Sequence, residues 1–153
     1  MFSSPARLFT ALARAELVTW TLLLAGMAGK YLLDLGQLGV RIGGGLHGFV
    51  FLTYCLVTVL VGVDRRWPVR TVALGLGSAV LPYATYAFEK YAERRALLAD
   101  HWRLRSERPR GVLESPVAMV LRRPLPATLI LLVLVAGVFT GLLMLGPPTE
   151  WFA

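Results

Sequence analysis

Four residues set in apolar surroundings have side chains that could do chemistry: Lys30, His47, Tyr54 and Glu89. A histidine changes charge near neutral pH, and a lysine or carboxylate inside an apolar run is costly unless paired. Together they could share protons or hold an anionic or quinone-like headgroup. Each also has a structural alternative: Lys30 reaching outward to water, His47 bonding a helix carbonyl, Glu89 ending a helix in solvent. Tyr54 follows His47 by seven residues, close to two helical turns, and so shares its face. Glu16, Arg65 and Arg66 carry the charges for an ion pair that would tie two helices together. Gly137 and Gly141 form a Gly-x-x-x-Gly, the spacing that lets membrane helices approach closely.

The elements that must position these residues are long and apolar. The chain is 56% hydrophobic and 16% charged, where a soluble domain carries about 25% charged residues. Apolar runs near 16–33, 45–63, 71–88 and 127–145 each reach the length of about 20 residues that crosses the roughly 30 Å hydrocarbon core as a helix. The fold class expected is therefore all-α: a polytopic transmembrane helical bundle of four spans, with a surface amphipathic helix. Residues 1–153 would form a single integral membrane domain, without room for a separate soluble one.

Starts and stops follow from proline, glycine and capping residues. Ser4-Pro5 reads as an N-cap followed by proline at the first helical position, opening a short helix that could lie in the interface and run into the first span. The apolar run continues past Lys30 to Leu35, which argues against a cleaved leader. Residues 34–45 read as a glycine-rich connection. Pro68 breaks the chain between the second and third spans and makes them an antiparallel hairpin, while Pro82 kinks the third. Phe88, Tyr91, Ala92, Leu98 and Trp102 mark one side of a continuing surface helix. Residues 105–116 read as loop, 117–121 as a short apolar piece. Pro124 and Pro126 open the fourth span, Gly146-Pro147-Pro148 closes it, and Trp151 and Phe152 suit an aromatic belt.

With four antiparallel spans, Lys30, His47 and Glu89 fall toward one leaflet, and Glu16 with Arg65 and Arg66 toward the other. The net charge is +7, and the basic connection 96–126 lies within the basic stretch Lys90–Arg123, which points to anionic lipid headgroups and not to nucleic acid. The positive-inside rule then puts that connection in the cytoplasm and both termini outside, although the Arg65-Arg66 turn pulls the other way. The single cysteine, Cys55, lies in an apolar span and offers neither a disulfide framework nor metal spacing. No phosphate-binding loop, dinucleotide fingerprint or nucleophile elbow occurs, so neither an enzyme nor a cofactor is expected.

Several of these features occur together in a known family. Glu16 before the first span, Lys30-Tyr31 near its end, His47-Gly48 opening the second, Tyr54 within it, and Leu81-Pro82-Tyr83 before Glu89 resemble the DUF3817 family of small bacterial integral membrane proteins. The resemblance covers about residues 15–95 and implies a three-helix unit in the bacterial cytoplasmic membrane, with no assigned activity. The long basic connection and the added span at 127–145 depart from the family form, as does Ala-Gly where a Met-Pro-Leu-like stretch usually precedes Lys-Tyr. The expected role is that of an accessory or assembly subunit of a larger membrane complex, joined to a membrane protein partner or to copies of itself through the Gly137 and Gly141 face. The alternative is a small carrier or lipid- or quinone-binding protein using Lys30, His47 and Glu89.

Overall fold

The computed structural model describes residues 4–144, and the described residues are all-helical. Ser4 caps the first helix by accepting the Arg7 N–H on its hydroxyl at 3.4 Å, with Pro5 at the first helical position. From there α1 runs unbroken from Pro5 to Leu32. The interfacial segment and the first span are thus one helix, about 42 Å long at 1.5 Å per residue. A short turn containing Asp34 and Gly36, both with positive φ, leads into α2, Leu38–Asp64. The second helix begins seven residues before the expected start at residue 45, because the glycines read as a connection are part of its contact face. A Cβ on Gly43 would lie 2.9 Å from backbone atoms of Leu22 and Leu23, and one on Gly26 would lie 2.5 Å from the Gly39 carbonyl. Only glycine allows the two backbones to pack this closely.

The third apolar run departs from expectation. It is two short helices, α3 (Val69–Ser78) and α4 (Ala84–Arg94), separated by a break at residues 79–83. Pro82 donates no hydrogen bond and disfavours helical geometry at Leu81, and Tyr83 adopts left-handed φ 65°. The break reverses the chain. Gly75 lies against the Phe88 ring, and Trp67 and Phe88 rings stand 6.0 Å apart, although residues 75 and 88 would be about 20 Å apart along one straight helix. On α2, Tyr54 meets Ser78 and Thr58 meets Gly75. On α1, Ala13 accepts the Thr85 hydroxyl and Thr10 bonds Glu89. So α3 descends antiparallel to α2, and α4 returns antiparallel to α1, to the end of the bundle where α1 begins. That end is called the near end below, and the α1–α2 turn the far end.

The near end carries a polar cap. The surface helix expected to run on to Trp102 stops at Arg94, where the chain turns through Ala96 at φ 52°. Leu97 then accepts the Trp67 indole N–H at 3.1 Å, and Ala99 accepts the Ala6 N–H at 3.1 Å. Trp102 and Leu104 are buried. The short helix α5 (Arg103–Ser106) is followed by α6 (Glu114–Arg122), so the expected loop and apolar piece are partly helical. Helix α7, Pro124–Met144, leaves this cap and packs on α2, with Phe139 edge-on to Phe49. Expected features at Leu145 and beyond, including Trp151 and Phe152, lie outside the described residues.

Candidate functional site

The polar residues singled out above do not form one cluster. Lys30 lies two residues from the end of α1, at the far end, with its ammonium 3.3 Å from the neighbouring Tyr31 hydroxyl. Glu89 is at the near end, buried, accepting the Thr10 hydroxyl at 2.8 Å, with the Lys90 ammonium 3.5 Å away. The reason is the reversal at 79–83, which carries Glu89 back instead of across. Tyr54 is fully buried beneath Phe9. Ser78 gives its own proton to the Gly75 carbonyl, so the Tyr54 hydroxyl donates to Ser78, over 3.1 Å.

His47 has a different partner, Glu16. Its Nδ1 stands 3.4 Å from a Glu16 carboxylate oxygen and 3.4 Å from the Thr19 hydroxyl. Thr19 donates to the Glu16 backbone carbonyl, which leaves its oxygen able to accept from Nδ1. The Trp20 ring packs tilted against the imidazole at 4.3 Å between centres, and the Phe51 ring lies 6.1 Å away. Glu16 is completely buried, and neither of its carboxylate oxygens receives a hydrogen bond; the Trp20 indole N–H is likewise buried without a partner. Groups in this state carry a large desolvation cost.

The expected tie of Glu16 to Arg65 or Arg66 is absent, because α1 starts at Pro5 and so sets Glu16 about 16 Å along the helix. Arg66 instead reaches Glu114 at 2.9 Å, where Arg103 also binds at 2.8 Å and the Arg110 N–H at 2.9 Å. The Arg66 hydrogen bond, followed by the Arg110 N–H and Arg103, holds the Glu114 carboxyl down at about 2. Asp64 accepts the backbone N–H groups of Arg103 and Leu104, while the Arg103 guanidinium bonds the Asp64 carbonyl. Part of the basic connection is therefore folded into the cap by its own carboxylates. Arg94, Arg108 and Arg123 remain exposed.

A second feature was not visible in sequence. Helices α1, α2, α6 and α7 line a half-open apolar cavity of about 360 Å³, walled by residues such as Leu12, Ala15, Leu56, Leu121, Leu131 and Val135. Trp102 and Arg105 line it as well. They belong to the cap, which places them toward the near end. Arg105 Nε also donates to the Leu121 carbonyl at 3.2 Å. Residues from five separate helices, Arg105 of α5 among them, make this space, and no local pattern announces it. Gly137 and Gly141 face away: a Cβ at either would meet nothing within 4 Å among the described residues.

The model of the DUF3817 family, described as a domain of unknown function, matches residues 6–94. The chain belongs to this family. The match begins one residue into α1 and ends with α4, so the Glu16–His47 pair and the reversing hairpin lie within the family unit and α5 to α7 outside it. A Streptomyces coelicolor protein named as a membrane protein is 46% identical over 93 residues, 60% of this chain. The chain spans only 11% of that protein's length. The uncharacterized membrane protein YdzA of Bacillus subtilis is 32% identical over 69 residues, which is 45% of this chain and 71% of YdzA. No solved structure matches the chain. With its long apolar helices, this is a small helical membrane protein of the DUF3817 family.

Proposed function

We propose that this protein is a multi-pass component of the bacterial cytoplasmic membrane that binds a long-chain amphiphile, a lipid or a quinone-like molecule, and performs no reaction on it. The observation that carries the reading is the apolar cavity between α1, α2, α6 and α7. Its volume of about 360 Å³ falls in the range of ligand pockets, roughly 300–1,000 Å³, which are mostly apolar with a few polar groups fixing orientation. An acyl or isoprenoid chain would lie along Leu12, Leu56 and Leu131, with a polar headgroup toward Trp102 and Arg105. This relocates the amphiphile-binding role from Lys30, His47 and Glu89, which lie at different depths.

The arrangement in the membrane follows from the reversal. Helices α1, α2 and α7 cross, and α3–α4 enters from the near end and returns to it. The sixteen basic residues, Lys30 and Arg41 excepted, then sit on the near half, which the positive-inside rule assigns to the cytoplasm. The opposing signals of a four-span reading disappear, and the N-terminus moves to the cytoplasmic side. Exposed Arg94, Arg108 and Arg123 lie where anionic headgroups would meet them.

The test is purification in mild detergent followed by mass spectrometry of co-purified lipids. Ala15→Phe and Leu131→Trp, which fill the cavity, should reduce a bound amphiphile by about tenfold, a loss of about 1.4 kcal/mol of affinity, while circular dichroism stays unchanged. An identical lipid complement in wild type and both variants would reject the reading. A second reading, an accessory or assembly subunit, is favoured by the open Gly137 and Gly141 face on α7. It expects a stoichiometric protein partner that is lost in Gly137→Leu/Gly141→Leu; recovery of a lone monomer after crosslinking would reject it.

A further inference from the structure

We propose that Glu16 and His47 form a proton-binding site inside the membrane, holding one proton between them. Three features lead there. First, Glu16 is fully buried and both its carboxylate oxygens are without a hydrogen bond. Second, the one cationic or potentially cationic side chain within 4 Å of that carboxylate, among the described residues, is His47 at 3.4 Å. Third, the pair lies beside the break in the third apolar run. Thr85, at the start of α4, bonds the Ala13 carbonyl, and the Tyr83 hydroxyl stands 3.4 Å from that of Thr21. The chain leaving the break thus contacts α1 on both sides of Glu16 along the helix, at Ala13 and Thr21. Irregular backbone at membrane depth is tolerated where protein covers it or where it lines a polar path.

The charge arithmetic decides the proton count. Without an added proton, a carboxylate beside a neutral imidazole leaves a net charge of −1 in low dielectric, the costliest state for buried groups. One proton makes the pair neutral overall, either as carboxylic acid with imidazole or as carboxylate with imidazolium. A second proton leaves a buried net cation. Thr19, by donating to the Glu16 carbonyl, presents an acceptor to Nδ1 and orients the ring. Trp20 and Phe51 pack against the ring. The other titratable groups packed toward the site are Tyr54 and Cys55 on α2, Tyr83 at the break, and Glu89 on α4, engaged with Thr10 and Lys90. Helix α7 contributes no titratable residue.

The experiment is a histidine NMR titration of the full-length protein in lipid nanodiscs. Exposed His101 serves as internal reference. In wild type, the His47 imidazole and the Glu16 carboxyl should respond around a common midpoint, as coupled groups do. Replacing the carboxylate in Glu16→Gln should move the His47 midpoint by about tenfold or more in proton concentration. His101 should stay in place, and Glu16→Asp should recover part of the shift. A His47 midpoint unchanged in Glu16→Gln would overturn the proposal. If that variant does not fold, infrared spectra of wild type and His47→Gln decide instead. The Glu16 carboxyl band should shift or change its titration when His47 is removed, with Glu89→Gln separating the Glu89 signal. A band indifferent to His47 would overturn the proposal as well.

Discussion

At the residue scale, the chemistry of this protein depends on which buried polar groups find partners and which do not. The Tyr54 hydroxyl donates to Ser78, 3.1 Å away and fully buried. Tyr54→Phe should leave Ser78 its bond to Gly75 and cost about 1 kcal/mol, read as a lower midpoint in thermal unfolding in detergent. Ala96 holds a left-handed φ of 52° while exposed. Ala96→Gly should therefore raise stability by about 0.5–1 kcal/mol, since a Cβ in that region costs about 1–2 kcal/mol; an unchanged or lower midpoint would mean that the turn carries no strain. Glu114 supplies a pH dependence with a definite sign. Its folded value near 2 lies below the ordinary 4.5, chiefly through Arg66. Its contribution is thus complete above about 4.5 and is lost as the pH falls from there toward 2. The difference in unfolding midpoint between wild type and Glu114→Gln should be constant at neutral pH and should shrink across that acid window.

At the element scale, two devices set the bundle. One is the glycine seam of the α1–α2 hairpin, where Gly26, Gly39 and Gly43 leave no space for a side chain. Gly43→Leu must push a whole backbone aside and should destabilise the protein by about 1–3 kcal/mol or more. Gly45→Leu, about half a turn away on the opposite face and in open space, should cost little. Comparison of the two unfolding midpoints separates the seam from a general intolerance of bulk. The other device is the break at 79–83, which turns a run of membrane-spanning length into a hairpin of two short helices. A proline was visible in the sequence and a kink followed from it. The reversal needed Tyr83 in left-handed geometry and the packing of Phe88 against Gly75, contacts between residues too far apart in sequence for any local pattern to relate.

At the scale of the whole molecule, the reversal decides which ends share a side. Arg70 and Arg110 should lie on one face of the membrane, and Gln37 on the other. In a Cys55→Ala background, Arg70→Cys and Arg110→Cys should react with an impermeant thiol reagent only after cells are permeabilised, while Gln37→Cys should react in intact cells. Labelling of Arg70→Cys and Arg110→Cys from opposite sides would restore a third crossing by residues 71–88 and sink the hairpin arrangement. The same geometry joins the cap to the bundle. Asp64 at the end of α2 receives Arg103 and Leu104, so the segment beyond the family unit is anchored before α7 departs to close the apolar cavity.

What the amino-acid sequence alone determined was the kind of molecule. Apolar runs of membrane length, proline and glycine punctuation, and the Glu16, Lys30-Tyr31 and His47-Gly48 features specified an all-helical membrane bundle and its family. Those are local properties, set by composition and by short spacings. The partners of the polar residues were decided only by the tertiary structure. A uniformly apolar helix contains no internal mark of its register against a neighbour. The register here comes from glycines in close backbone contact and from a turn of a few residues, which put His47 opposite Glu16. Lys30 stays apart at the far end, and the break sends Glu89 back to the near one. The cavity belongs to the same class of fact: five helices separated along the chain create it, and it exists only once they are packed.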